Sequence, residues 1–275
     1  MSERLLILGA TGRVGQMLRR YWTAHPPQSF DLVYQSRRLA DGHVHYQPGD
    51  DPTCFGPVSR VLSLWGVTSG DSAALAANTA LALDAQRIAA ACGADHVLHA
   101  SSIAVYTPSE QPHRETDPTT PANTYGVAKL AMEQALAAAT GPNTTALRIG
   151  SVAGAESLAA AVHSGRRITL DRFASGHGPE RSYIGPADLA DALAALYRLP
   201  AATLPAALNI GARRPMRMDQ LLIAGGWPFD WRDAPDTTRE CATLDTSLLQ
   251  SLINLPDHTG NPAEIAAQWH RWGPQ

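Results

Sequence analysis

A chain of 275 residues, 44% of them apolar, can bury one large α/β core or a core with a small attached lobe. Its net charge of −3 and pI near 6.3 leave no basic field for nucleic acid, and no apolar run approaches the ~20 residues of a membrane-spanning helix. Cys54, Cys92 and Cys241 are odd in number and far apart, which fits neither a disulfide frame nor zinc spacing. They suit a reducing cytoplasm, and no metal site is expected.

Met1 to Arg4 is too short a leader for a signal peptide and runs directly into Leu5–Leu8, a wholly apolar stretch that predicts a strand covered on both faces. Gly9-Ala10-Thr11-Gly12-Arg13-Val14-Gly15 follows, and Val14, Met17, Leu18 and Tyr21 then recur as a helix stripe. Strand, glycine turn and helix together predict a dinucleotide site: glycine lets the backbone approach a pyrophosphate, and the helix start offers free N–H groups. Gly9, Thr11, Gly12, Arg13, Val14 and Gly15 are its candidate contacts.

Asp31–Gln35 predicts the second strand. At its tip an acid would normally hold the ribose 2′-hydroxyl of NAD. Here the tip is Ser36-Arg37-Arg38, without a carboxylate and with two guanidinium groups that suit a 2′-phosphate. The expectation is therefore NADP(H), with NAD as the alternative. Val44–Tyr46 predicts a short third strand, with Asp50 just after it, and Val61–Gly66 a fourth, whose Trp65 and Gly66 can pass close to the cofactor. Asp71–Cys92 reads as a long alanine-rich helix ended by Gly93. Asn78 within it either faces the site or is simply exposed.

His96–Ala100 predicts the fifth strand, delivering Ser101 and Ser102 to the edge where open parallel sheets bind ligands. Thr107–Pro121, with four prolines, reads as a loop over the substrate. Asn123 or Thr124 caps the next helix, which carries Tyr125 and Lys129. Lys129 is the only lysine; the other 21 basic side chains are arginine. A spacing of four puts phenol and amine on one helix face. An adjacent ammonium favours phenolate, so the pair can serve as an acid/base device although free tyrosine titrates near 10 (about 10 in model peptides). Arginine, with its delocalised charge and permanent proton, would not be equivalent. Thr144–Ile149 predicts the sixth strand, followed by a small-residue loop at which Ser151 and Val152 complete the candidate cofactor contacts with Asp50, Trp65, Gly66, Ser101, Tyr125 and Lys129.

Beyond residue 150 the pattern is less regular. Helix signals lie at 155–163, 187–199 and 217–224, and strand-like runs at 168–170, 182–184 and 207–210. The expected architecture is a Rossmann-type doubly wound parallel sheet over 1–150, with a smaller C-terminal substrate-binding lobe over 151–275, partly interleaved with the sheet. His258 and His270 have no ligand spacing and read as packing or surface residues.

These residues together resemble the short-chain dehydrogenase/reductase superfamily, in its extended branch of NAD(P)-dependent sugar epimerases and dehydratases. The markers are the Gly9/Gly12/Gly15 turn, Ser101-Ser102-Ile103-Ala104-Val105-Tyr106, Tyr125 with Lys129, Arg181–Ala190, and Asn209-Ile210-Gly211. The resemblance implies that Tyr125 is the acid/base, that Lys129 holds the nicotinamide ribose and lowers the tyrosine pKa, and that Ser102 hydrogen-bonds the reacting oxygen. It implies a substrate site of Ser102, Ile103, Tyr125 and Arg181, and a homodimer. Sugar 4,6-dehydration is not expected, because Ile103 and Ala104 replace the Asp-Glu pair that would move the proton. Three functions fit: an NADP-dependent oxidoreductase acting on a carbonyl or secondary alcohol of a sugar-like or other small molecule, a (nucleotide-)sugar epimerase, or a non-catalytic NADP-sensing protein. The last has no need of a Ser, Tyr and Lys set.

Overall fold

The computed structural model describes residues 3–165 and 167–274; Met1, Ser2, Arg166 and Gln275 lie outside it. Its elements in chain order are β1 (Glu3–Leu8), α1 (Arg13–Ala24), β2 (Phe30–Ser36), β3 (Val44–His45), β4 (Arg60–Ser63), α2 (Ser72–Cys92), β5 (His96–Ser102), α3 (Thr124–Ala138), β6 (Asn143–Ile149), β7 (Ser151–Val152), α4 (Ser157–His163), β8 (Ile168–Arg172), β9 (Glu180–Arg181), β10 (Tyr183–Ile184), α5 (Pro186–Arg198), β11 (Ala207–Ile210), β12 (Met216–Arg217), α6 (Met218–Gly225), β13 (Phe229–Asp233), β14 (Cys241–Ala242), α7 (Ser247–Leu252) and α8 (Pro262–Trp272). A seven-stranded sheet, ordered β11-β6-β5-β4-β1-β2-β3, is parallel throughout.

The strand pleat sorts the apolar run of β1. Leu5 and Ile7 enter the core shared with Met17 and Leu18 of α1 and Leu189 and Leu193 of α5. Leu6 and Leu8 enter the opposite core, against Ala85, Ile88 and Ala89 of α2. Both faces of the sheet are thus covered, which is why β1 carries no alternating polar positions. α2 begins where the Asp71 carboxylate accepts the Ala74 N–H, and it ends at Gly93 with φ +77°, a left-handed stop.

β4 is shorter than Val61–Gly66. The last bond to β1 is Leu64 N–H to Leu8 O, because beyond Leu8 the partner strand turns away at Gly9. Trp65 and Gly66 therefore lie in a loop at the carboxyl edge. β11 returns to the main sheet beside β6 in the register Ala207↔Ala146. Arg60 of β4 donates to the carbonyls of Leu196, Tyr197 and Leu199, satisfying the exposed end of α5.

The remaining small strands gather over one end of the sheet: β9 lies between β12 and β14, β13 pairs with β8, and β10 with β7. Their apolar core includes Leu158, Leu170, Tyr183, Leu221 and Trp269. The loop after β5 is tied to this region by His113 N–H to Thr243 O and Asp245 N–H to His113 O. Among the described residues no helix is long and apolar enough to cross a membrane, and no cluster of His, Cys, Asp or Glu could hold a metal.

Candidate active site at the carboxyl edge of the sheet

The glycine turn is held tightly from both sides. Gly9 has φ +78°, and a Cβ there would lie 2.6 Å from the Trp65 backbone nitrogen. A Cβ on Gly15 would lie 2.6 Å from the Gly9 carbonyl oxygen. Gly9 N–H donates 2.8 Å to Oε1 of Gln35, whose amide donates 2.7 Å to the Tyr46 carbonyl. Gln35 is buried, so this side chain stitches the turn to β2 and β3. Gly12 caps α1 without a side-chain hydrogen bond, leaving the first-turn N–H groups of the helix without a side-chain cap. A bare helix start behind glycines is the geometry a diphosphate needs, so the residues fit a dinucleotide.

At the tip of β2 Ser36 is buried and its hydroxyl accepts the Arg38 N–H, while Arg37 and Arg38 are exposed. Asp50 closes a turn of its own loop, its carboxylate accepting the Gln47 N–H. Gly66 sits where α2 meets α3: a Cβ there would lie 2.7 Å from Oδ1 of Asn78 and 3.4 Å from Nζ of Lys129. Asn78 is buried rather than exposed. It accepts the Val67 N–H and donates to the carbonyls of Val67 and Leu75, fixing the loop that carries Gly66.

β5 delivers three consecutive residues to three consecutive turns of α3. Lys129 Nζ donates 2.8 Å to the Ala100 carbonyl, Ser101 Oγ donates 2.5 Å to Glu133, and the Ser102 hydroxyl, which accepts the Ala104 N–H, faces the Tyr125 phenol. The spacing of 125, 129 and 133 is one helix stripe. α3 can approach this closely because residue 126 is glycine; any Cβ there would collide with the Ala104 carbonyl. Asn123 supplies the cap, accepting the Gly126 N–H. Ile103 opens a short 3-10 turn capped by Ser102.

The electrostatics depart from the simple tyrosine–lysine expectation. Burial pushes the Tyr125 phenol up, against the opposing pull of the Ser102 hydroxyl and the Arg13 guanidinium. Lys129 sits 5.9 Å from the centre of the Tyr125 ring with its ammonium turned to Ala100, so the cation that lowers the phenol is Arg13, at the start of α1. Lys129 itself is pushed down to about 8 by burial, with Glu133 holding it up.

Other predicted contacts are engaged elsewhere. The Ser101 hydroxyl points to Glu133. Ser151 donates its N–H to the Ser182 carbonyl, and Val152 is buried beside it. The Arg181 guanidinium donates to the carbonyls of Glu180, Arg239 and Glu240 and binds β9 to the chain before β14. Sequence reasoning missed a buried polar network behind the site. Arg148 of β6 pairs with Glu133 at 2.8 Å and donates to the Tyr106 hydroxyl at 2.6 Å, and Tyr106 donates to Asn209 of β11. An arginine inside the apolar run Ala146–Ile149 and a glutamate four residues beyond Lys129 were the available signals.

A parallel sheet with a glycine turn after its first strand, flanked by helices on both faces, defines a Rossmann-type α/β fold. The chain belongs to the NAD-dependent epimerase/dehydratase family, whose sequence pattern matches residues 61–211, more than half of it. It is 34% identical over 146 residues to a UDP-glucose 4-epimerase of Lacticaseibacillus casei, a match spanning 44% of each chain. The chain thus matches less than half the length of that curated relative. The fold is similar to that of the UDP-N-acetylglucosamine 4-epimerase of Bacillus cereus (TM-score 0.78, 18% identity, 98% of each chain covered). It is also similar to that of the Thermus thermophilus UDP-glucose 4-epimerase in complex with NAD (TM-score 0.75, 20% identity, 98% of each chain).

Proposed function

We propose that this protein is an NADP-dependent oxidoreductase acting on a carbonyl or secondary alcohol of a sugar-like small molecule. The observation that carries this reading is the Ser102 hydroxyl facing the Tyr125 phenol, on a helix whose next turn places Lys129 beside Gly66. When bound, the cofactor supplies or accepts the hydride at the substrate carbon. Tyr125 handles the proton at the substrate oxygen. Burial keeps its phenol protonated at neutral pH, which suits donation to the oxyanion that forms as a carbonyl is reduced. Ser102 orients that phenol and offers a second hydrogen bond to the same oxygen. Lys129, charged below about pH 8, provides donors for the cofactor ribose. NADP rather than NAD is favoured by the absence of a carboxylate at Ser36-Arg37-Arg38.

The test is oxidation of NADPH against a panel of carbonyl compounds, with Tyr125→Phe as the partner variant. A general acid contributes ~10²–10⁴-fold, so the variant should fall by at least about 100-fold. Activity within tenfold of wild type removes Tyr125 from the chemistry. The epimerase reading is supported by the Lacticaseibacillus casei relative. It requires cofactor that stays bound through purification and substrate interconversion without net redox change; cofactor that exchanges freely at each turnover excludes it.

A further inference from the structure

A groove of about 650 Å³ runs along α1 from the glycine turn to α8. One end is formed by Ala10 and Thr11 of the glycine turn, one wall by Ala40 and His43 of the β2–β3 loop, and the far end by Arg271 and Trp272 of α8. Arg19 and Arg20 of α1 line it between them. Three guanidinium groups thus share one groove on a chain whose net charge is −3. Among the described residues no carboxylate lies within ion-pair distance of any of the three. Like charges gathered without counter-charges favour an anionic ligand.

The three arginines are not equivalent. Arg20 is spent on the Gly273 carbonyl, and Arg271 lies over the Trp272 ring. Arg19 is held by contacts with β2 and the β2–β3 loop. It lies over the Tyr34 ring at 5.8 Å, donates weakly to the Asp41 carbonyl at 3.4 Å, and has His43 Nε2 at 3.5 Å. A donor fork held in place before binding loses little conformational entropy on meeting an anion. His43 is fixed in turn by Nδ1 against the Asp41 carbonyl at 3.0 Å, which leaves Nε2 facing Arg19.

The topology says which anion reaches this end. In this fold the adenosine ribose rests between the glycine turn and the tip of β2, its 2′ oxygen toward that tip. The chain leaving the tip at Arg37 returns to the groove at Ala40 and His43, whereas Arg37 and Arg38 are exposed and do not line it. A group carried on the 2′ oxygen would therefore lie between Thr11 and the β2–β3 loop, at the mouth of the groove. We infer that Arg19, supported by His43, is the residue that reads the 2′-phosphate of NADP, and that Arg37 and Arg38 contribute only a diffuse field. This rests on the NADP reading above.

The experiment is calorimetric binding of NADP, NAD, 2′,5′-ADP and 5′-AMP to wild type, Arg19→Ala, Arg19→Lys and Arg37→Ala. Arg19→Ala should weaken NADP and 2′,5′-ADP at least tenfold and leave NAD and 5′-AMP within twofold, so unchanged binding of the last two also reports a folded site. Arg19→Lys should fall between, since a point charge replaces the fork. Arg37→Ala should cost less than threefold. A wild type that prefers NADP, with the preference intact in Arg19→Ala or lost in Arg37→Ala, overturns this assignment and leaves the NADP reading standing. A wild type that does not separate 2′,5′-ADP from 5′-AMP overturns both.

Discussion

Replacing Glu133 by Gln isolates the largest electrostatic commitment behind the site. The Glu133 and Arg148 side chains are only 9% and 8% exposed, and the carboxylate takes donors from Arg148 at 2.8 and 3.2 Å and from Ser101 at 2.5 Å. Leaving one member of a buried ion pair without its partner costs ~3–5 kcal/mol. The amide keeps the shape and an acceptor for Ser101, so the lower end, about 3 kcal/mol, is expected. At ~2–4 °C per kcal/mol for a chain of this size, the melting temperature should fall by about 6–12 °C. The same change removes the charge that holds Lys129 up against burial. In the proposed reaction Lys129 acts protonated, so a further drop below about 8 would move the alkaline limb of the turnover profile to lower pH. Calorimetry and a pH–rate series test the two effects separately. A double variant, Glu133→Leu with Arg148→Met, should recover much of the stability because no buried charge is left alone. A Glu133→Gln variant that melts within 2 °C of wild type, with an unmoved alkaline limb, refutes the reasoning.

Glu156 caps α4 through one oxygen, while its other oxygen is buried without a hydrogen-bond partner. Burial raises it from 4.5 to about 7. A folded-state value above the unfolded one means that the ionised form opposes folding: the cost appears as pH rises through 4.5 and is complete above 7. Glu156→Gln should therefore gain about 2–3 kcal/mol relative to wild type between pH 5 and pH 8, whatever constant cost the amide carries; parallel urea titrations that give a flat difference exclude it. Gly126→Ala forces a methyl against the Ala104 carbonyl and should cost about 3 kcal/mol by overpacking, together with loss of turnover as Tyr125 is pushed from Ser102. A fully active, fully stable alanine variant would mean that α3 is free to slide. Gln35→Ala strands the Gly9 N–H and the Tyr46 carbonyl, and should cost about 2–3 kcal/mol and weaken dinucleotide binding by calorimetry; unchanged affinity would detach Gln35 from the turn.

The parts of this protein that could be read from the sequence are those in which local chemistry and tertiary structure agree. Leu5–Leu8 is apolar because both its faces are covered, Gly93 ends α2 because only a left-handed residue can, and the 125/129 spacing is a helix stripe wherever that helix sits. The parts that could not be read are those decided by contacts across the chain. Glu133 and Arg148 are 15 residues apart in sequence and meet only because β6 runs beside β5 beneath α3. Arg19 has the helix spacing of a surface residue, and its neighbour His43 is brought to it by a loop whose course sequence does not specify. The tyrosine–lysine pair is the instructive case between these extremes. Its spacing was correct, yet the sign of its electrostatics depended on burial, which outweighs Ser102 and Arg13 together at the phenol and overcomes Glu133 at the amine. Burial holds the phenol neutral and lowers the cost of removing the lysine proton, so two groups of nearly equal ordinary pKa are driven apart, with the amine left as the stronger acid. An amine so lowered would be able to return a proton to a spent phenolate through the cofactor ribose hydroxyls that it would hold, a task for which arginine, with its permanent proton, is unsuited.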